Sequence, residues 1–290
     1  MNKLILYIIK TAGILISIFL ITLVIFYFWA SSKAFKAKKY TNGYFYTLKS
    51  VKPSKITGNS YRIITYNIGF ASGVDNNKPK ARKKSFYQNN LSKIKNALTM
   101  YSPDFVALQE VDIDSHRSFN VNQAETIAKV TQLPHLGIAI NWNKNYVPFP
   151  YGLPHVHYGK MLSGQAILSR YNIVSHSLTR LKQPESNPFY HNAFYLSRVI
   201  EVGEIQLKKK KLIIINVHLE AFDMKNRQEQ AKKLLSVYKK YSHLPVIIIG
   251  DFNMLPEYAT ITHTFNDGSD ADDYRGDTTF SLLLANESLR

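Results

Sequence analysis

Four short motifs in this chain set a polar side chain directly after an apolar run. They are Tyr66-Asn67-Ile68, Leu108-Gln109-Glu110-Val111-Asp112, Asn216-Val217-His218-Leu219 and Gly250-Asp251-Phe252-Asn253. Strand ends are places where side chains from separate segments can converge at one edge of a sheet. The residue types suit charge chemistry. Hard carboxylate oxygens match Mg2+ or Mn2+, an imidazole can pass a proton or a hydrogen bond, and amides can orient either. Each motif alone has a plainer explanation. Asn after a strand is a common turn former, Glu there is commonly a solvated end, a lone His is more often structural, and Gly-Asp-x-Asn ahead of Pro256 would pass for a turn.

The segments around these motifs alternate short apolar runs with helical spacing. Strands are expected at 61–68, 104–109, 164–169, 173–181, 197–207, 212–219 and 246–250, the last a buried one. Helices are expected at 86–101, 122–132 and 225–241. The Lys208–Lys211 run between two strands reads as the basic tip of an antiparallel hairpin. This order predicts an α/β protein with largely antiparallel pairing.

The 290 residues contain no cysteine, which excludes disulfides, thiolate metal sites and a cysteine nucleophile. The net charge of +17 is unevenly spread. Nine of the 37 Lys and Arg residues and none of the 20 acids lie in residues 1–59, so the remainder carries a balance of +8. That balance suits a polyanionic or phosphate-bearing substrate, and equally suits solubility.

Residues 11–32 carry no charge and end in Phe26-Tyr27-Phe28-Trp29, followed by Lys33, Lys36, Lys38 and Lys39. The run is long enough to span a bilayer core of ~30 Å. A secretory signal has a shorter apolar core, ~7–15 residues, so an uncleaved anchor is expected. Lysines flank both ends of the span, and the side of the membrane on which the large domain lies stays open. The expected organisation is a membrane anchor over 1–32, a basic linker over 33–59 and one domain over 60–290.

Together and in this order, the four motifs resemble the endonuclease/exonuclease/phosphatase superfamily. That group includes the type I deoxyribonucleases, apurinic-site endonucleases, bacterial sphingomyelinases and inositol-polyphosphate 5-phosphatases. Further matches are the run from Ser163 to Ser169-Arg170, Arg227 and Gln230 in an Arg-x-x-Gln, and Thr279-Phe280. The resemblance covers residues 61–290. It implies a four-layer α/β/β/α sandwich of two mixed sheets and hydrolysis of a phosphate ester, with a phosphodiester of nucleic acid or of a phospholipid headgroup as partner. It implies that Glu110 is the principal metal ligand for Mg2+ or Mn2+, with Asn67 completing or orienting that shell. By the same resemblance His218, if protonated, donates to a phosphate oxygen, Asp251 aligns the attacking water and Asn253 contacts the scissile phosphate. Alternation along the strand end is expected to send Asp251 and Asn253 to the same side.

Some polar residues receive the bland reading. Asp112 is expected to be a solvated loop acid. His155 and His157, between Pro148, Pro150 and Pro154, are expected in a loop. The family pattern also includes a later Asp-His pair, and none follows Asn253 in this sequence; His263 has no Asp before it. The expectation drawn from this is a chain stopping short of its last strands at Arg290. The alternative function is then a catalytically impaired, membrane-anchored protein that binds phosphate or metal.

Overall fold

A computed structural model describes residues 3–53, 60–73, 76–208, 210–256, 258–259, 274, 276–286 and 289. The chain opens with a long helix, α1 (Lys3–Ser31), then a helical turn, α2 (Lys39–Asn42), and a short strand, β1 (Tyr44–Thr47). The order continues β2 (Ile63–Asn67), α3 (Lys84–Met100), β3 (Phe105–Asp112), α4 (Gln123–Thr131), β4 (His135–Val147) and β5 (Gly159–Ser169). The second half holds β6 (Ile173–Arg180), α5 (Phe189–Asn192), β7 (Val199–Gln206), β8 (Lys211–His218), α6 (Met224–Lys239), β9 (Val246–Asp251) and α7 (Thr279–Leu284).

The strands form two mixed sheets, one ordered β1-β4-β5-β3-β2 and one ordered β6-β7-β8-β9. Among the described strands only β2–β3 and β8–β9 pair in parallel, and the other pairs are antiparallel. Three apolar layers result. Leu91, Ile94 and Leu98 of α3 and Ile127 of α4 cover the outer face of the first sheet. Leu234 and Val237 of α6 cover the second. Phe105, Ile167, Ile205 and Ile214 fill the space between the sheets. This is the four-layer α/β/β/α sandwich, and one helix long and apolar enough to cross a membrane, Lys3–Ser31, precedes it.

Helix ends follow local chemistry. Asn122 caps α4 by accepting from Glu125 N–H, and Asp223 caps α6 by accepting from Asn226 N–H. A buried polar seam registers the two sheets. Gln109 Nε2 donates to Asn216 Oδ1 at 2.6 Å, Asn216 Nδ2 donates to Glu201 Oε2 at 2.9 Å, and Gln165 Nε2 donates to the Asn216 carbonyl at 3.1 Å. The Gln109 and Gln165 bonds cross between the sheets and fix their relative position, while the Glu201 bond holds Asn216 within the second sheet.

Several expectations need correcting. Tyr44–Thr47, inside the stretch read as linker, is an edge strand paired with β4 at Tyr44↔Ile138. The 13-residue β4 is not among the expected strands, because its second half, Trp142 to Val147, is polar and lacks alternation. The expected buried strand 246–250 is half-buried, since β9 lies at the edge of its sheet as described. Thr279-Phe280 opens a short helix. His263 and Arg290 lie outside the described residues.

Candidate active site

The parallel pairs explain why the motifs meet. Asn67 ends β2, Glu110 lies near the end of β3, and Asn67 aligns with Gln109 across that pair. In the second sheet His218 ends β8 and aligns with Asp251 at the end of β9. All four side chains therefore leave from the same edge of the sandwich, two from each sheet.

Local backbone aims them. Opposite Gln109 and Glu110, β5 supplies one residue, so β3 bulges there, and Glu110 takes φ +53°. A bulge of this kind re-aims a side chain at the rim of a sheet. Gly250 precedes Asp251 with φ +146°, and a Cβ there would lie 2.1 Å from the Val217 carbonyl oxygen. Only glycine lets β9 approach β8 closely enough to place Asp251 beside His218.

One amide nitrogen joins the sheets. Asn67 Nδ2 donates to Asp251 Oδ2 at 2.8 Å and to Glu110 Oε1 at 3.2 Å, while Asn67 Oδ1 accepts from Gly69 N–H at 3.0 Å. Both amide protons go to carboxylates and the oxygen to the backbone. His218 Nε2 stands 3.9 Å from Glu110 Oε1 and 3.8 Å from Asp251 Oδ2. Asp251 Oδ1 accepts from Asn253 N–H at 3.0 Å, and Asn253 Nδ2 donates to the Leu219 carbonyl at 2.9 Å. The strand ends at Asp251 and Asn253 takes φ +47°, so the two do not alternate as strand neighbours. A turn built on the Asp251 carboxylate brings them together instead.

Burial dominates the electrostatics. It pushes the Glu110 carboxyl above its ordinary value, against the Asn67 hydrogen bond and the Arg198 and Arg117 charges that pull it down. It holds the His218 imidazole well below its ordinary value, and Arg198 adds to this. Both effects favour the uncharged imidazole over the cation.

Arg198 belongs to none of the sequence motifs. It is 4% exposed, and its Nε and Nη1 have no hydrogen-bond partner among the described residues. It pairs with Glu220 at 3.6 Å. A lone Arg ahead of a strand has no local signature. Its electrostatic reach to Glu110 and His218 emerges only once β7 pairs with β8.

The remaining motif residues are structural. Asp112, expected in solvent, is fully buried; Arg117 donates to it from Nε and Nη2 at 3.1 and 3.0 Å, and Ser163 Oγ at 2.6 Å. Arg117 also lies over the Phe70 ring, 3.5 Å from its centroid. Arg170 pairs with Asp104 at 2.8 Å at the far end of the sheet. Arg227 grips Asp277 through Nε and Nη2 at 2.9 and 2.8 Å and the Glu220 and Ala221 carbonyls through Nη1. Gln230 accepts from Glu220 N–H at 2.8 Å. These two residues hold the loop that follows His218. His155 lies in a turn between β4 and β5, and His157 Nδ1 meets Tyr146 Oη at 2.7 Å. Lys211, at the hairpin tip, pairs with Glu204.

No cluster of three or more His, Asp or Glu side chains in ligating position occurs among the described residues. Two oxygen donors do converge, from Glu110 and Asp251, both held by Asn67. That set fits a Mg2+-type ion, which binds through one or two carboxylates and keeps several waters.

The profile of the Endonuclease/Exonuclease/phosphatase family matches residues 64–286, and the chain belongs to this family. Similar solved structures include an endonuclease/exonuclease/phosphatase from Beutenbergia cavernae DSM 12333. It is 20% identical, with a TM-score of 0.46 over 67% of this chain and 47% of that one. A family protein from Bacteroides thetaiotaomicron is 17% identical, with a TM-score of 0.43 over 66% and 62%. A mannosyl-6-phosphatase from Bacteroides thetaiotaomicron VPI-5482 is 16% identical, with a TM-score of 0.46 over 69% and 67%. The chain thus spans about half of the first of these and under two thirds of the second. A comparison with curated protein sequences found no match.

Proposed function

We propose that this chain hydrolyses a phosphate ester, specifically a phosphodiester, in a reaction that depends on Mg2+ or Mn2+. The observation that carries this reading is the convergence of Asn67, Glu110, His218 and Asp251 from four strand ends, two in each sheet. Membership of the family supports it.

Glu110 would hold the metal ion, with Asp251 beside it. The ion, when bound, draws charge from the phosphate and lowers the pKa of a coordinated water. The residues of the chain do the rest. Asn67 keeps Glu110 fixed against Asp251. His218 donates from Nε2 to a non-bridging phosphate oxygen. Arg198 opposes the charge that grows on the phosphate, acting in a buried site where that charge is weakly screened. Asp251 aligns the attacking water. Asn253, with one amide proton on Leu219, has a second to offer the phosphate. In this reading α1 is an uncleaved membrane anchor.

Two phosphodiester classes remain, nucleic acid and phospholipid headgroups. The purified full chain is assayed on short DNA duplexes and on sphingomyelin vesicles, each with Mg2+ and with EDTA, over a salt series. Nucleic-acid turnover falls steeply with salt, because phosphate-backbone binding releases counterions; turnover of a zwitterionic lipid changes little. Failure to cleave any phosphodiester in Mg2+ or Mn2+ overturns the proposal.

A further inference from the structure

The edge of the sandwich that carries the site also carries three loops. β4 runs antiparallel to β5 with Val147 opposite Gly159, which puts loop 148–158 at that edge. β7 runs antiparallel to β8 with Ile200 opposite Val217, which puts loop 181–198 and α5 there as well. The segment after His218 is the third. Each holds large apolar side chains out in solvent: Tyr151 and Leu153 in the first, Phe189 in the second and Phe222 in the third are 78%, 67%, 78% and 75% exposed.

The same edge receives the end of α1. Lys144 Nζ donates to the Ser31 carbonyl at 2.9 Å, Asn145 Nδ2 to the Trp29 carbonyl at 3.1 Å, and Asn145 N–H to the Ser32 carbonyl at 2.9 Å. Tyr146 packs on Phe26 and Trp29, with centroids 5.8 and 6.4 Å apart. Phe194 and Phe189 pack on Tyr27 at 5.6 and 6.5 Å. The helix is therefore clamped to the domain by its last turns. Phe189 continues the aromatic collar of α1 directly onto α5.

Tyr, Trp and Phe rings at the end of an apolar helix sit at headgroup depth. With α1 in a bilayer, that depth falls at Phe26 to Trp29, and the clamp brings the site edge to the same level. Lys33, Lys36, Lys38 and Lys39 follow at once and attract anionic headgroups. We propose that the site-bearing edge of the sandwich rests on the bilayer, with Phe189, Phe222, Tyr151 and Leu153 in the headgroup region. The substrate is then a phosphate ester carried by a membrane lipid. The docking part rests on α1 spanning a membrane, and the substrate part rests also on the phosphoesterase reading above. A duplex would have to enter between this edge and the lipid surface; a lipid headgroup is already there.

The absence of cysteine permits a direct test. Phe189→Cys, Phe222→Cys and Met100→Cys variants of the full chain are spin-labelled and reconstituted in phosphatidylcholine–phosphatidylglycerol vesicles. Met100, 75% exposed at the end of α3, lies at the far edge, where β3 begins. Labels at 189 and 222 should be more accessible to oxygen than to an aqueous nickel chelate, and the label at 100 the reverse. Labels at 189 and 222 as water-exposed as that at 100 overturn the docking. In a second arm, the Phe189→Ser, Phe222→Ser double variant should lower turnover of vesicle phospholipid or sphingomyelin at least tenfold relative to turnover of soluble bis(p-nitrophenyl) phosphate. Equal change on both, or cleavage of DNA in preference to lipid, overturns the lipid substrate. No hydrolysis of any of these compounds sinks the catalytic reading and the lipid substrate with it, while the label data still decide the docking.

Discussion

Asn67 and Asp251 end strands in different sheets, and the Asn67 amide nitrogen lies 2.8 Å from Asp251 Oδ2. The second proton of the same nitrogen goes to Glu110. One side chain thus sets the distance between two carboxylates that would otherwise repel, and Asp251 indeed helps raise the Glu110 carboxyl.

Asn67→Ala should keep the fold and loosen this spacing. Partners that orient a metal-binding carboxylate are worth roughly 10- to 100-fold in metal affinity or activity. A loss in that range, with a raised Mg2+ requirement and an unchanged melting curve, is the expected result. Unchanged Mg2+ dependence would show that Asn67 does not set the Glu110 geometry.

Gly250→Ala should be severe although Gly250 contributes no functional group. The new Cβ would lie 2.1 Å from the Val217 carbonyl oxygen, at a φ of +146°. The expected cost is about 2 kcal/mol or more from strain and displacement. Activity should fall further than stability, because β9 carries Asp251. Thermal melts alongside turnover assays separate the two effects.

The Asp112–Arg117 pair should behave as a buried ion pair. Asp112→Ala strands the Arg117 charge, at a cost of about 3–5 kcal/mol, which lowers Tm by on the order of 10 °C for a domain of this size. A double replacement, Asp112→Leu with Arg117→Met, should melt above the Asp112→Ala variant. Thermal denaturation of the three proteins in detergent checks the ordering.

Acid should release the clamp on the loop after His218. Burial alone would raise the Asp277 carboxyl, but hydrogen bonds to Thr279 and the Arg227 charge hold it below its ordinary value. The folded state therefore gives up this proton more readily than the unfolded chain. The stabilisation is complete above the unfolded value of about 3.9 and disappears as pH falls through the folded one. Asp277→Asn should be less stable than the parent at pH 7, and the gap should narrow as pH falls below about 3.9. A gap that does not narrow at all between pH 7 and acid would place the effect in packing, not charge.

The sandwich and the four site motifs were legible because each motif combines a strand signal with a polar residue just past it, and the order of motifs matched the family. What stayed illegible depended on partners distant in sequence. β4 has an apolar first half, but Asn143, Lys144 and Asn145 spoil its alternation. They are polar because they bind the Phe35, Ser31, Trp29 and Ser32 backbone at the end of α1. Asp112 looked solvated because its partner, Arg117, sits five residues on in a 3-10 turn that carries no sequence signal. Arg198 acquires meaning only through its electrostatic reach to Glu110 and His218. The downward push on the His218 imidazole comes from burial, which no motif reports.

The most direct test of the phosphoesterase centre is a Mg2+ titration of bis(p-nitrophenyl) phosphate hydrolysis by the purified full chain and by Glu110→Gln, with melting curves for both. The site geometry predicts turnover that saturates with Mg2+, disappears with EDTA and returns on adding Mg2+. It predicts a loss of roughly 100-fold or more in Glu110→Gln with the fold intact, a size typical of removing one transition-state electrostatic contact. Turnover independent of divalent metal, or Glu110→Gln as active as the parent, would contradict it.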